Sequence, residues 1–222
     1  MALKGRLAAS AAEVRDHLTG PCLLSPMTAR LPPELADLCS SLPIGDANGE
    51  LLDALRGKTL RKDAFVGVLA NDPFRLPDDL LDILAGLGCY SVANWPSTAM
   101  LSGELADALT HSGLGYDAEM AFLKRARERG FRTLAAITNQ AQLPLVRAAQ
   151  PSHVLIAAGL AASTAVSLTE VQRSILTLMK EVKAEWNEIW IYEHGSIAEI
   201  ISALRPGAAV IIRHPQESAP SE

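Results

Sequence analysis

Val66-Gly67-Val68-Leu69-Ala70-Asn71-Asp72-Pro73-Phe74-Arg75 decides how this chain is read. Five small or apolar residues run straight into an amide, a carboxylate, a proline, an aromatic and a guanidinium. An apolar run of that length, bounded by polar residues and proline, predicts a fully buried strand. The polar cluster then falls on the loop at the strand's C-terminal end, where α/β folds place their chemistry. Leu76-Pro77-Asp78-Asp79-Leu80 follows with proline and acids in a first turn, which predicts a helix start.

The same strand–loop–helix rhythm recurs along the chain. Strands are predicted at 21–25, 66–70, 90–94, 133–138, 153–158, 188–192 and 208–212, with a weak eighth at 42–44. Alternation of strands and helices at this spacing argues for a parallel sheet of βα units. No GxGxxG or GxxxxGK[ST] turn is present, so a dinucleotide-binding or P-loop sheet is disfavoured. A (β/α)8 barrel fits better, short against the roughly 250-residue norm. Residues 6–18, Ala-rich with charges to one side, read as a surface helix. That leaves the barrel incomplete or with an atypical first βα unit. Residues 1–215 read as a single barrel domain, and the polar 216–222 tail as disordered.

Composition narrows the function. The 222 residues are 49% hydrophobic but only 5% aromatic, so Ala, Leu, Val and Ile build the core. A net charge of −5 argues against nucleic acid or an anionic membrane as the main partner. No apolar run approaches the roughly 20 residues that span a bilayer, and the N-terminal stretch does not read as a signal peptide. Cys22, Cys39 and Cys89 are odd in number without CxxC spacing, which fits reduced cytoplasmic thiols buried as small hydrophobes.

A barrel gathers every strand exit on one face. Asn71, Asp72 and Arg75 are thereby expected beside Asn94, Thr138, Asn139, Gly159, Glu193 and His194, with Asp46 and Asn48 reaching the rim from a long loop. Asp72, Asp46 and His194 are the candidate catalytic residues for acid–base work. Asn48, Asn71, Arg75 and Asn94 are the candidate substrate-binding residues, Arg75 as an anion clamp and the amides as donors to an oxyanion or enolate. A structural reading stands beside this one. Asp72-Pro73 and Asp46-Ala47-Asn48-Gly49 also fit turn and cap chemistry, and Arg75 also fits a surface pair with Asp78 or Asp79. His153 is placed on the face opposite the site, His17 and His214 on the surface, and Trp95-Pro96 in the core. No metal-binding motif is visible; a carboxylate-bound Mg²⁺ is compatible but unsupported, and no other cofactor is called for.

Four stretches, in this order, resemble the phosphoenolpyruvate hydrolase-like family of TIM-barrel proteins: Leu42-Pro43-Ile44-Gly45-Asp46-Ala47-Asn48; Val68 to Arg75; Val92-Ala93-Asn94-Trp95-Pro96-Ser97; and Ser112-Gly113-Leu114-Gly115-Tyr116-Asp117-Ala118-Glu119. Weaker echoes follow at Ala158-Gly159-Leu160, at Thr164-Ala165-Val166-Ser167-Leu168 and at His194-Gly195. The resemblance implies a (β/α)8 barrel and an activity on phosphoenolpyruvate-like or related keto-acid substrates. Three departures qualify it. The family's first strand and glycine-rich loop are replaced by 7–19, which has neither. Its glycine-rich insert after the sixth strand becomes Ala161-Ala162-Ser163, and its His-Gly-Gly becomes His194-Gly195-Ser196. Glycine loops let backbone N–H groups approach a phosphate or carboxylate.

Two classes of function follow. One is a cytoplasmic hydrolase or lyase cleaving a C–C or C–O bond beside a carbonyl in a small-molecule substrate. The other is a catalytically reduced barrel serving as partner subunit or ligand-binding protein. An incomplete barrel also exposes two strand edges, from which a homo-oligomer, or a hetero-oligomer with a related barrel, is expected.

Overall fold

A computed structural model describes residues 2–16, 20–32, 35–36, 42, 45–159, 168–194, 197, 200–201, 204 and 207–215. Eight parallel strands close into one barrel in chain order. They are β1 (Leu3–Ala8), β2 (Cys22–Leu24), β3 (Ala64–Val68), β4 (Ser91–Asn94), β5 (Arg132–Ile137), β6 (His153–Ile156), β7 (Ile189–Glu193) and β8 (Val210–Arg213). The described helices outside them include α1 (Ala11–Asp16), α2 (Pro26–Arg30), α3 (Ala47–Leu55), α4 (Pro77–Gly86), α5 (Glu104–His111), α6 (Tyr116–Glu128), α7 (Leu143–Ala149) and α8 (Leu168–Lys183).

The first βα unit corrects the sequence reading. Leu3-Lys4-Gly5-Arg6-Leu7-Ala8 is a strand, pairing Arg6 with Cys22 on one side and Leu3 with Val210 on the other. Among the described residues the helix begins only at Ala11, in α1, instead of at residue 6. Lys, Gly and Ala are poor strand formers, and the local preference loses because strand pairing depends on neighbours. Gly5 shows how tightly those neighbours fit: a Cβ there would lie 2.5 Å from Ile212 Cδ1 and 2.7 Å from the Pro21 carbonyl oxygen. β1 fills the expected gap, so the argument for association through open strand edges lapses. Leu42 is in a turn, and the rest of the weak strand at 42–44, Cys39, His17, the 161–163 replacement, Gly195, Ser196 and the 216–222 tail lie outside the described residues.

Alternation along each strand sorts side chains into two layers. Leu24, Val66, Val68, Val92, Ile137, Ile156 and Ile191 face the helices. Leu7, Leu23, Phe65, Ala93, Leu134, Leu155, Trp190, Tyr192 and Ile212 fill the lumen. Each fully buried Leu, Val, Ile or Phe contributes roughly 1.5–3 kcal/mol over its exposed state, so this double core carries the fold. At the N-terminal end, Phe65, His153 and Trp190 meet edge to face, with the Arg132 guanidinium over the Phe65 ring. His153 therefore belongs to the stability face, as its sequence position predicts. Burial and the nearby Arg132 push its imidazole below the usual histidine range.

Candidate functional site

All eight strands run parallel, so the exits after Val68, Asn94, Ile137, Ile156 and Glu193 share one rim, as the βα rhythm predicts. The candidate residues nevertheless separate into four groups.

Asp46, Asn48, Asp72 and Arg75 form a clasp on the flank of that rim. Asp46 caps α3, accepting the Gly49 N–H at 2.8 Å, and also accepts both Arg75 terminal nitrogens at 2.6 and 2.7 Å. Arg75 donates a further bond to Asp72 Oδ2 at 3.0 Å. Asn48, fully buried, pairs with the Leu69 main chain through both amide atoms at 3.0 Å and donates to Asp72 Oδ2 at 2.9 Å. The other Asp72 oxygen accepts the Phe74 N–H at 2.8 Å, the Asx turn that Asp-Pro chemistry favours. The Arg75 bonds, then the Gly49 N–H, hold the Asp46 carboxyl below its usual range, and the two carboxylates raise Arg75. Arg75 thus pairs with Asp46 and Asp72, while Asp78 pairs with Arg125 and Arg129. A cleft of about 450 Å³ opens on the clasp, lined by Asp46, Asp72 and Arg75 themselves together with Ala47, Leu69 and Phe74.

Asn71 points away from the clasp. Its Nδ2 donates to the Leu114 carbonyl at 2.5 Å, on a cleft of about 810 Å³ between the β3 exit, α4 and α6.

Asn94 takes the outward register of β4 and faces α6. Its Oδ1 accepts the Ala136 N–H at 2.8 Å, and its Nδ2 donates to Ser97 Oγ and to Glu119 at 3.1 and 2.7 Å. Glu119, fully buried, also accepts the Ser97 hydroxyl, the Thr98 hydroxyl and the Thr98 N–H at 2.6–2.7 Å. Burial raises the Glu119 carboxyl above its usual range, with these donors acting against the rise. The network anchors the loop Trp95-Pro96-Ser97, whose Trp95–Pro96 bond is cis. Sequence reading quoted Ser97 and Glu119 only as motif letters. A carboxylate among the apolar positions of α6 was the signal that it is buried and therefore partnered.

The fourth group closes the lumen. Inward positions at the C-terminal end carry Ser25, Trp95, Thr138, His194 and His214. The Trp95, Tyr192 and His194 rings run across the lumen from β4 toward β7, with centroids 4.7 and 5.1 Å apart. Gly67 makes room for the Trp95 loop: a Cβ there would sit 2.4 Å from the Trp95 carbonyl oxygen. His194 is 7% exposed and His214, on the neighbouring strand exit, 0%. The surface position expected for His214 is therefore corrected. Its place next to β8 on the inward register buries it, with Nε2 3.2 Å from the Thr28 carbonyl oxygen. Ser25 donates its hydroxyl to Thr28 Oγ1 at 2.9 Å beneath it. Among the described residues no group of three or more His, Cys, Asp and Glu side chains is placed to hold a metal ion. No described helix is long and apolar enough to cross a membrane.

Residues 34–204 match the model of one family. The chain belongs to the phosphoenolpyruvate hydrolase-like family. The match leaves out β1, β2 and β8, which the structure adds to the barrel. The chain is 41% identical over 123 residues to the uncharacterized protein y4oT of Sinorhizobium fredii, 55% of this chain and 63% of that protein. It is 33% identical over 99 residues to the ToMV resistance protein Tm-1(GCR237) of Solanum lycopersicum, 43% of this chain and 13% of that protein. A putative transcriptional regulatory protein y4pA of S. fredii is 27% identical over 106 residues, 46% of this chain and 17% of that protein. The matched segments thus span under two thirds of each relative.

Proposed function

We propose that this protein is a small-molecule enzyme, a hydrolase or lyase that cleaves a C–C or C–O bond beside a carbonyl, with its chemistry at the barrel mouth. The observation that carries the proposal is the pair of buried imidazoles, His194 and His214, on adjacent strand exits of a closed barrel. An imidazole titrates near neutral pH and serves as base and then acid in one turnover. His194 is the residue assigned to proton transfer. Ser25 and His214 supply hydrogen-bonding groups for the oxygen on which charge develops. The clasp of Asp46, Asn48, Asp72 and Arg75 and the Asn94–Glu119 network hold the surrounding loops in place. The reaction so described calls for no cofactor. The family description supports a phosphoenolpyruvate-like or keto-acid substrate.

The test is turnover of phosphoenolpyruvate, pyruvate and longer 2-keto acids by the wild type and by His194→Asn. Loss of turnover in the variant, with an unchanged melting transition, supports the assignment. Equal turnover in both removes it.

A second reading, a binding module or partner subunit, draws on the matched segment that makes up only 13% of the ToMV resistance protein. There the matched segment is a small part of a much longer chain. Association with a second barrel would rest on rim side chains such as Phe74 and Leu76, 86% and 68% exposed. Wild-type protein that turns over none of these substrates but sediments as a dimer or larger species favours this reading.

A further inference from the structure

Trp95 is 1% exposed, and its indole Nε1 is buried without a hydrogen-bond partner among the described residues. Buried indole N–H groups ordinarily find an acceptor, because an unsatisfied donor forfeits the hydrogen bonds it made to water. A phenylalanine would fill much of the same lumen without that cost. The side-chain donors around it are matched: Asn94, Ser97 and Thr98 all bond Glu119. The unmatched N–H therefore sits on the best-braced loop of the rim. It is also the first ring of the row that leads through Tyr192 to His194.

Charge at this end points to the kind of acceptor. Among the described residues, the inward positions that close the strands carry no carboxylate: Glu193 and Asn94 take the outward register, and Glu119 lies behind Asn94. What faces the lumen is Ser25, Thr138 and two histidines. A mouth that presents hydroxyls and imidazoles and no inward carboxylate favours an anionic oxygen over a cationic or purely apolar group.

From these two observations we infer that Trp95 Nε1 is a substrate-binding donor: it hydrogen-bonds the carboxylate of a small 2-keto or enol acid seated beside His194. The inference rests on the mouth being the working site, as proposed above, and it names the group that orients the substrate there. Trp190, whose indole nitrogen also lacks a partner, lies at the opposite end of the lumen against Phe65 and His153. It serves as an internal control.

The experiment is a titration of ¹⁵N-labelled full-length protein with pyruvate and with phosphoenolpyruvate, following the indole N–H signals of Trp95, Trp186 and Trp190. Trp95→Phe assigns the first signal. The expected result is a downfield shift of the Trp95 proton with the Trp190 signal unmoved, and about tenfold weaker binding of the same ligands by Trp95→Phe in calorimetry. A Trp95 signal that does not move at millimolar ligand overturns the inference, whether or not Trp95→Phe folds. So does absence of pyruvate and phosphoenolpyruvate binding by the wild type. The two proposals fail separately. Turnover lost in His194→Asn with an unmoved Trp95 signal removes only the donor. A shifted Trp95 signal with no turnover of any substrate removes only the enzyme.

Discussion

The flank clasp and the barrel mouth are both polar, and both lie at the C-terminal end of the same strands, yet they are built on opposite terms. In the clasp, Arg75, Asp46, Asp72 and Asn48 spend their hydrogen bonds on one another and on the main chain of two loops. In the mouth, two buried histidines and an indole sit at separate strand exits, the indole and His194 each against the Tyr192 ring. The comparison teaches that a dense polar motif can be a fastener. The clasp's charges neutralise one another in place and tie two loops together. Scattered polar residues at separate strand exits become a site only when the barrel closes.

The sharpest break would come from His194. Replacing it with Asn should lower kcat on any accepted substrate by about 10²–10⁴, the usual worth of a positioned acid–base group, with little change in melting temperature. Asp72→Asn should leave most turnover intact. The reverse outcome would exchange the roles assigned to mouth and clasp.

Glu119→Ala strands the Asn94, Ser97 and Thr98 donors and should cost about 3 kcal/mol in denaturant unfolding. Glu119→Gln should cost less, and it sharpens the test through pH. The folded-state pKa of Glu119 lies above the unfolded value. Its contribution is therefore fully present below the unfolded pKa and lost as pH rises through the folded one. Stability of the wild type measured from pH 4 to 7 should carry this downward slope, and Glu119→Gln should lack it.

Arg75→Lys keeps the charge but loses the planar fork that spans Asp46 and Asp72. About 1 kcal/mol of stability should go, with KM unchanged within a factor of two. A large rise in KM instead would return Arg75 to the substrate. The smallest effect belongs to Asp46→Asn, since Asn still caps α3. The folded pKa of Asp46 is depressed, so its contribution is present above the unfolded pKa and lost as pH falls through the folded value. The variant should differ slightly from wild type near pH 7 and converge with it in acid.

Much of the fold was legible because buried parallel strands are continuous apolar runs. Val66-Gly67-Val68 and Trp190-Ile191-Tyr192 announce themselves by composition, and the turn chemistry of Asp46 and Asp72 could be read two residues at a time. Leu3–Ala8 could not, because its partners are β2 and β8, some 20 and 200 residues away. Its strand character comes from those ladders and from the lack of room for a Cβ at Gly5.

For the site, the sequence by itself singled out Asp46, Asn48, Asp72 and Arg75, which lie in two short motifs, as candidate catalytic and binding residues with cap and turn chemistry as the alternative. It also placed His194 at a strand exit. Only the tertiary structure decided that His214 is buried beside it, that Asn94 turns outward to Glu119, and that Trp95 crosses the lumen. The physical reason is the alternation of a strand: a side chain's face is set by register against its neighbours. Register in a barrel is fixed by closing the whole ring, which no single stretch of the chain contains.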